Sequence, residues 1–224
     1  AVSNPVVMDN TLVIATRTGL YCMRRSDGLG LWKWSSYGFG IVWNAPAYDA
    51  DRNRLYVNTT NGLLIALDAD TGQPQWMRNE GEEKGCGSMA APIYDNGRIL
   101  YKNAKRDWVC LDADTHAVLW RYSMQAAQYG GTPSLDGGLL YLAGTLGEMA
   151  CLNWSDGSTV WVRQNGWTES YPSALVLSDT HIYAIVSSGK LECRLRSDGS
   201  LVWSYQTQSY AHGSPSFDGT TVFC

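Results

Sequence analysis

Short runs of mostly apolar residues, separated by polar turns, fill most of the chain. Two such runs are "RLYVN" (54–58) and "LLIALD" (63–68), and the intervening "TTNG" is rich in turn-forming residues. β-branched and aromatic residues dominate the runs, with turn residues about every eight to twelve positions, which is typical of β-strands. No stretch carries the helical period over a useful length. The pattern therefore predicts an all-β protein.

An eleven-residue phrase, "ALDADTGQPQW" (66–76), recurs along the chain with small changes. The other copies are "CMRRSDGLGLW" (22–32), "CLDADTHAVLW" (110–120), "CLNWSDGSTVW" (151–161) and "CRLRSDGSLVW" (193–203). The closing residues are Trp32, Trp76, Trp120, Trp161 and Trp203, spaced 41 to 44 residues apart. A proline precedes each copy and one follows the last: Pro5, Pro46, Pro92, Pro133, Pro172 and Pro215. Two independent markers with one period establish an internal repeat.

Each repeat contains four predicted strands, and the phrase spans the turn between the third and the fourth. Four strands in about 42 residues is the period of a β-propeller blade. We therefore predict a single domain over residues 1–224 with five complete blades and a partial sixth. The expected blades are about 1–40, 41–87, 88–128, 129–168 and 169–211, with 212–224 as the partial one.

The repeated phrase resembles the tryptophan-docking motif of the quinoprotein (PQQ-like) β-propellers, Ala-x-Asp-x-x-Thr-Gly-x-x-x-Trp. Residues 66–76 match it at every specified position, and the resemblance covers essentially the whole chain. It implies that the five tryptophans dock between blades, against the small first residue and the turn glycine. Those glycines are Gly28, Gly72, Gly157 and Gly199. Most family members have seven or eight blades, so the chain is expected to be a fragment of such a ring, and a five-bladed ring with a two-strand tail is the alternative.

Two departures from the motif concern its first and seventh positions. His116 replaces the turn glycine of the third repeat, and we interpret it as a non-glycine residue tolerated in a left-handed turn. A role as a ligand or proton carrier is the alternative. Four of the six cysteines stand where alanine is usual and are expected to be small buried residues without disulfides: Cys22, Cys110, Cys151 and Cys193. Cys86 and Cys224 remain unassigned.

Charge and composition give no sign of nucleic-acid binding, of a transmembrane segment or of a metal site. The chain has 224 residues, a net charge of −4 and a pI of about 5.3. Because its charges are scattered, no basic stripe indicates binding to nucleic acid. No apolar run approaches the roughly 18 residues of a transmembrane segment, and no Cys/His cluster suggests a metal site.

Three classes of function remain open. The resemblance favours a non-catalytic scaffold that needs no cofactor and binds a protein partner or small ligand at one propeller face. Such proteins include the propeller lipoprotein of the outer-membrane β-barrel assembly machinery, which makes a periplasmic or cell-surface location the expectation. The alternative is a dehydrogenase that oxidises alcohols or sugars with PQQ and Ca²⁺, although the adjacent cysteine pair found in such enzymes is absent. The third is a sensory domain of a larger protein.

Comparison of the repeats suggests where binding occurs. The residue three positions before each marker proline varies from repeat to repeat, whereas structural positions recur. It should lie near one mouth of the central channel, and Glu169 and His212 could act there as an acid/base pair if they converge. The candidate binding surface is therefore Trp43, Asn44, Tyr129, Glu169, Tyr171, Tyr210 and His212.

Overall fold

Antiparallel sheets make up both compact units into which the chain divides, residues 1–123 and 124–224. The computed structural model describes residues 4–80, 90–124, 131–166, 169–207 and 213–224. Each complete sheet has four strands in sequential order, so every strand pairs with its neighbours along the chain. The all-β prediction with four-stranded antiparallel repeats is confirmed.

The described part of the first unit contains three such sheets, called here blades 1, 2 and 3. Blade 1 consists of β1 (Val6–Val7), β2 (Thr11–Thr16), β3 (Gly19–Arg24) and β4 (Gly30–Ser35). Blade 2 consists of β5 (Ala47–Asp49), β6 (Arg54–Asn58), β7 (Leu64–Asp68) and β8 (Pro74–Arg78). Blade 3 consists of β9 (Ile93–Asp95), β10 (Arg98–Lys102), β11 (Asp107–Asp112) and β12 (Val118–Ser123).

The second unit contains two further four-stranded sheets and one two-stranded sheet in its described residues. Blade 4 consists of β13 (Ser134–Asp136), β14 (Leu139–Ala143), β15 (Glu148–Asn153) and β16 (Thr159–Gln164), with a 3₁₀ turn at Thr145–Gly147. Blade 5 consists of β17 (Val176–Leu177), β18 (His181–Val186), β19 (Lys190–Leu195) and β20 (Leu201–Gln206). The partial blade 6 consists of β21 (Ser216–Phe217) and β22 (Val222–Phe223).

The first residue of the repeated phrase lies directly across the hairpin from its tryptophan in all five blades. In blade 2, Ala66 pairs with Trp76, and in blade 4 Cys151 pairs with Trp161. A register shift follows at once in every case, between the first and second residues of the phrase. A small side chain at this position leaves room for the neighbouring indole. This explains why only alanine or cysteine occurs at this position. The four cysteines are buried and form no disulfide.

The turn that follows is closed by an acidic side chain. Asp68 Oδ1 accepts hydrogen bonds from the N–H groups of Asp70 and Thr71 and from the Thr71 hydroxyl. The Gly72 N–H then donates to the Asp68 carbonyl at 2.8 Å, with φ of 69° at Gly72. Because this left-handed conformation strains residues with a β-carbon, glycine is favoured at the position.

The tryptophans of blades 1 and 4 each dock on the turn of the next blade within their unit. Trp32 Nε1 donates to the Ala69 carbonyl at 3.0 Å, and Trp161 Nε1 donates to the Arg196 carbonyl at 2.9 Å. A β-carbon at Gly72 would lie 2.5 Å from the Trp32 ring. The equivalent atom at Gly199 would lie 2.6 Å from the Trp161 ring. The indole therefore requires glycine at the turn for space as well as for backbone conformation.

His116 changes this contact at the junction of blades 2 and 3. Its φ is 59°, so a residue with a β-carbon adopts the left-handed turn. The imidazole lies 4.3 Å from the Trp76 ring, centroid to centroid. Trp76 Nε1 is buried and, within the described residues, makes no hydrogen bond to protein, whereas its counterparts Trp32 and Trp161 each bond a carbonyl. The imidazole thus occupies the turn position that glycine has in the other blades. Trp76 contacts the imidazole ring instead of bonding a backbone carbonyl.

Apolar side chains from adjacent sheets fill the space between blades. Between blades 1 and 2, buried residues include Val13, Leu20, Leu55 and Ile65. Equivalent clusters join blades 2 and 3 and blades 4 and 5. Trp203 differs from the other repeat tryptophans because it is 43% exposed, and its ring lies 6.3 Å from Tyr183 of its own blade.

Replacing Trp161 with alanine is expected to destabilise the protein by about 3–5 kcal/mol, the usual cost of removing a buried aromatic side chain. Denaturant unfolding measures this loss. Trp203→Ala is the matched control, since this indole occupies the same repeat position but is half exposed. Equal losses for the two variants would contradict the docking role of Trp161.

Replacing His116 with glycine is expected to raise the melting temperature or leave it unchanged. The change relieves about 1 kcal/mol of backbone strain and lets Trp76 approach the turn. Burial, with a smaller effect of nearby arginines, lowers the pKa of His116 below its ordinary value. The unfolded chain therefore binds the proton more tightly, and wild type loses stability as the pH falls below about 6.5.

Thermal melts of both proteins between pH 7.5 and 5.5 check this prediction. The advantage of His116→Gly should grow as the pH falls. A clear drop in melting temperature at pH 7.5 would show instead that the imidazole makes a contact that the fold needs.

Candidate functional site

Two kinds of connection lie at the same end of every blade. Successive strands run in opposite directions, so the loop between the second and third strands and the link from the fourth strand to the next blade share one end. We call this the loop end. In the described part of the first unit it is formed by residues 17–18, 36–46, 59–63, 79–80, 90–92 and 103–106.

The link 36–44 is held firmly to its neighbours. The Ser36 N–H donates to the Thr18 carbonyl at 2.9 Å. Ile41 and Thr60 exchange two hydrogen bonds, from Ile41 N–H to Thr60 Oγ1 and from Thr60 N–H to the Ile41 carbonyl, both at 2.9 Å. The Phe39 ring stacks against the buried Trp34 at 6.2 Å. These contacts fix the backbone of the link on both sides of its exposed turn.

This anchored link displays aromatic side chains at the loop end. Tyr37 is 93% exposed, the most exposed of the large apolar side chains in the described residues. Trp43 is half-buried, and the Arg17 guanidinium lies over its ring, 4.8 Å from the centroid. Asn44, next to Trp43, is also half-buried. Two of the sequence-predicted residues, Trp43 and Asn44, therefore lie on the same link as the exposed Tyr37, and Arg17 contacts Trp43.

Glu169, the corresponding candidate of the second unit, is paired with a cation. Lys190 Nζ lies 2.5 Å from Glu169 Oε1, and the Ser188 hydroxyl donates to the same oxygen at 3.3 Å. The hydrogen bond to Glu169 raises the pKa of Lys190. A carboxylate neutralised in this way is suited to holding a loop and poorly suited to being a general base.

Tyr171 is buried, in contrast to the prediction that it lines a binding surface. It is 1% exposed and packs in the apolar cluster between blades 4 and 5. Its hydroxyl donates to Glu192 Oε2 at 3.1 Å and accepts a hydrogen bond from Asn165 Nδ2 at 3.0 Å. Glu192 also pairs with the buried Arg194 at 2.8 Å. Burial, with a smaller effect of Glu192, raises the pKa of Tyr171 well above its ordinary range.

The remaining candidates, Tyr129, Tyr210 and His212, lie outside the described residues, as does Cys86. The pairing of Glu169 with His212 therefore stays a prediction.

A second ion-pair group stands near the loop end of blades 2 and 3. Glu80 accepts hydrogen bonds from Arg78 and from Arg121 Nη1, the latter at 2.5 Å. Burial alone would raise the pKa of Glu80, but the bonds from Arg121 and Arg78 lower it to about 2. Because Arg78 lies on β8 and Arg121 on β12, this carboxylate ties the outer strands of the two blades together.

A calcium ion that accompanies a quinone cofactor needs a cluster of oxygen ligands. Ca²⁺ takes six to eight of them, commonly from carboxylates. Across the described ranges, no three His, Cys, Asp or Glu side chains lie together where they could hold a metal ion. We therefore derive no chemical step through PQQ.

Sequence reasoning missed several of these residues. Tyr37 lies in a blade link, where the repeats supply no equivalent position, although its setting in "SSYGFG" marks an exposed turn. Glu192 and Arg194 had a clearer signal. They occupy positions that carry Ile65 and Leu67 in blade 2, so a charged pair stands where another repeat is apolar.

Comparison with known proteins identifies the family and the fold. The sequence profile of the family described as outer membrane protein assembly factor BamB matches residues 2–91 and 80–223. BamB of Shewanella oneidensis is 26% identical over 121 residues, which cover 52% of this chain and 30% of that protein. The chain therefore matches less than a third of that relative's length.

Two solved structures share the fold. The crystal structure of BamB from Moraxella catarrhalis aligns with a TM-score of 0.73 and 20% identity, over 95% of this chain and 62% of that one. Quinohemoprotein alcohol dehydrogenase from Comamonas testosteroni aligns with a TM-score of 0.77 and 18% identity, over 91% of this chain and 42% of that one. The β-propeller fold is thereby confirmed. Among the described residues, no helix has the length and apolar character that a membrane crossing requires.

Replacing Glu80 with glutamine is expected to lower the melting temperature at pH 7, because two arginines lose their anionic partner. The folded-state pKa of Glu80 is lowered to about 2 from an ordinary value of 4.5. Its contribution is thus present above about pH 4.5 and lost as the pH falls towards 2. Melting curves should show the two proteins converging over this window. A constant difference down to pH 2 would contradict the assignment, and Asp51→Asn, at an exposed position, is the control.

Proposed function

Because this chain belongs to the PQQ-like β-propeller family of the outer membrane protein assembly factor BamB, we propose that it is a non-catalytic scaffold that binds a protein partner outside the cytoplasm. Both curated BamB relatives that match the chain bear a name that refers to outer membrane protein assembly. The chain aligns with 30% and 36% of their lengths, so the partner proposed here is a protein of that kind of assembly and no particular member of it.

The observation that carries this proposal is the exposure of Tyr37 on a fixed link. An aromatic side chain that is 93% exposed loses no buried contact if it is removed. The surrounding backbone is nevertheless anchored through Ser36, Phe39 and Ile41. A fixed backbone beneath the side chain reduces the ordering cost of binding.

The neighbouring residues support a protein ligand. Tyrosine, tryptophan and arginine are the residue types enriched at the energetic centres of protein interfaces. Arg17 and Trp43 supply the other two types, stacked at 4.8 Å. A surface of this composition favours recognition of another protein over turnover of a small substrate.

The second candidate function is a PQQ- and Ca²⁺-dependent dehydrogenase that oxidises alcohols or sugars. The similarity in fold to a quinohemoprotein alcohol dehydrogenase favours it. Adding PQQ and Ca²⁺ to the purified protein separates the two functions. Stoichiometric uptake of PQQ together with dye-linked substrate oxidation would establish dehydrogenase activity and contradict the non-catalytic scaffold function.

Site-specific photo-crosslinking in the source cells tests the scaffold directly. A photoreactive amino acid at position 37 should give one major crosslinked protein, to be identified by mass spectrometry. The same amino acid at Asn10, exposed at the opposite end of blade 1, is the control. Absence of a specific product at position 37, or equal products at both positions, would contradict a binding surface at the loop end.

Tyr37→Ala is expected to weaken binding of the crosslinked partner by about 30-fold, as for an interface residue worth 2 kcal/mol. The melting temperature should stay unchanged because the side chain is exposed. Tyr205→Ala, at another exposed tyrosine on an outer strand, should leave affinity intact. Titration by isothermal calorimetry or surface plasmon resonance measures all three proteins. Equal affinity of wild type and Tyr37→Ala would remove Tyr37 from the interface.

A further inference from the structure

Three cationic side chains at the loop end of the first unit have no anionic partner among the described residues. Arg17 lies in the second-to-third-strand loop of blade 1, and Lys105 and Arg106 lie in the equivalent loop of blade 3. None of them forms an ion pair in the described part of the chain, whereas Arg52 and Arg121 of the same unit each bind a carboxylate. Arg17 and Lys105 are exposed, and Arg106 is half-buried. These three charges are therefore available to a ligand.

The link that carries Tyr37 joins the loops of blades 1 and 2. The Arg17 guanidinium lies over the Trp43 ring of the link, 4.8 Å from its centroid. On the other side of the link, Ile41 and Thr60 exchange two hydrogen bonds of 2.9 Å. Arg17 is thus held beside the same link as the exposed Tyr37.

The loop of blade 2 also contacts the loop of blade 3. A β-carbon at Gly62 would lie 2.1 Å from Ala104 N, and Asn58 Nδ2 donates to the Lys102 carbonyl at 3.2 Å. Lys105 follows Ala104 directly. The three loops and the link therefore form one continuous row at the loop end of blades 1, 2 and 3, with a cation-bearing loop on each side.

Arg106 occupies a turn position that favours glycine. Its φ is 74°, and its N–H donates to the Asn103 carbonyl at 3.0 Å. Gly62 and Gly189 occupy the equivalent position in blades 2 and 5, with φ of 72° and 80°, and their N–H groups likewise donate to the carbonyl three residues earlier. A residue with a β-carbon is strained in this conformation. Strain of this kind clusters at ligand clamps and active sites, where it is part of the function.

Acidic side chains of the first unit collect at the opposite end of its blades. Five exposed aspartates lie there in first-to-second-strand or third-to-fourth-strand turns: Asp9, Asp27, Asp51, Asp70 and Asp114. At the loop end, the described carboxylates already have partners. Glu80 is bound by two arginines, and Asp107 accepts a hydrogen bond from the Ser123 hydroxyl at 2.5 Å. The described loop end is therefore the cationic end of this unit.

We propose that this row of loops binds an acidic segment of the protein partner, whose carboxylates pair with Arg17, Lys105 and Arg106 while an apolar side chain packs against Tyr37. The inference rests on the proposed function and adds the charge of the segment that docks. Guanidinium groups bind carboxylates through two parallel hydrogen bonds, which gives the pairing strength and direction. A nucleic acid fits less well, because the net charge of the chain is −4 and its cations form no extended basic stripe.

Arg106→Gly separates binding from stability. Glycine adopts the left-handed turn without strain, so the melting temperature should rise or stay unchanged. Affinity for the partner crosslinked at position 37 should fall about fivefold, because one carboxylate loses its cation. Arg106→Lys keeps both the charge and the strain and should retain most of the affinity. Unchanged affinity of Arg106→Gly, or equal losses for the two variants, would overturn the role of this charge.

Reversing the charge of the blade 3 loop gives a larger effect. Lys105→Glu combined with Arg106→Glu should weaken partner binding about tenfold or more at low ionic strength. The loss should shrink in about 1 M salt, where exposed charges are screened beyond about 3 Å. Lys33→Glu, at an exposed position on β4, controls for the change in net charge. Wild-type affinity of the double variant, or an equal loss for Lys33→Glu, would overturn the inference.

A peptide probe distinguishes failure of this inference from failure of the proposed function. NMR shift mapping compares a synthetic glutamate-rich peptide that contains phenylalanine with the matched peptide that has lysine at every glutamate. The acidic peptide should shift the amide resonances of residues 36–44 and 103–106, and the lysine peptide should leave them unchanged. If position 37 crosslinks a protein but the acidic peptide shifts neither segment, the inference fails and the proposed function stands. If the shifts occur but position 37 crosslinks no protein, the proposed function fails alone.

Other polyanions provide the last comparison. Single-stranded DNA and phosphatidylglycerol vesicles should bind these residues more weakly than the acidic peptide does. Tighter binding of either one, with shifts in the same two segments, would overturn the assignment to a protein segment.

Discussion

The structure depends on an indole wedged between neighbouring sheets. Trp32 and Trp161 each reach from the fourth strand of one blade to the turn of the next and bond the carbonyl three residues before the turn glycine. That contact allows no β-carbon at the turn, as Gly72 and Gly199 show. It also needs a small residue across the hairpin. Three separate positions of the repeated phrase therefore follow from one steric requirement.

Two blades depart from the common pattern. His116 occupies the turn of blade 3, and Trp76 there contacts the imidazole instead of bonding a carbonyl. Glu192 and Arg194 introduce a buried ion pair between blades 4 and 5, and the Tyr171 hydroxyl and the Gly199 carbonyl complete its hydrogen bonds. Such a pair is tolerated in an apolar interface when its partners are present. The loop end is free of the docking constraint, so side chains there can serve recognition.

Comparison of the repeats singled out Trp43 and Glu169 as candidate residues but did not point to the side chains that contact them. Trp43 and Glu169 emerged because they differ from their counterparts at one repeat position. Their partners, Arg17 and Lys190, lie 26 and 21 residues away in sequence, and no local pattern links them. Tyr171 was expected at the surface, but its hydroxyl bonds Glu192 on a strand that begins nineteen residues later. Exposure at the end of a blade depends on which loops meet there, and the repeat period does not encode this.

The sequence by itself determined the strands and the four-stranded unit. These depend on local properties: short apolar runs rich in β-branched and aromatic residues, turn glycines, and a phrase that recurs about every 42 residues. Only the tertiary structure decided which side chains are buried, paired or displayed. Arg17 contacts Trp43 and Tyr171 contacts Glu192, although the members of each pair lie more than twenty residues apart in sequence. Such contacts depend on how loops and blades pack against one another, which the residues of a single strand do not specify.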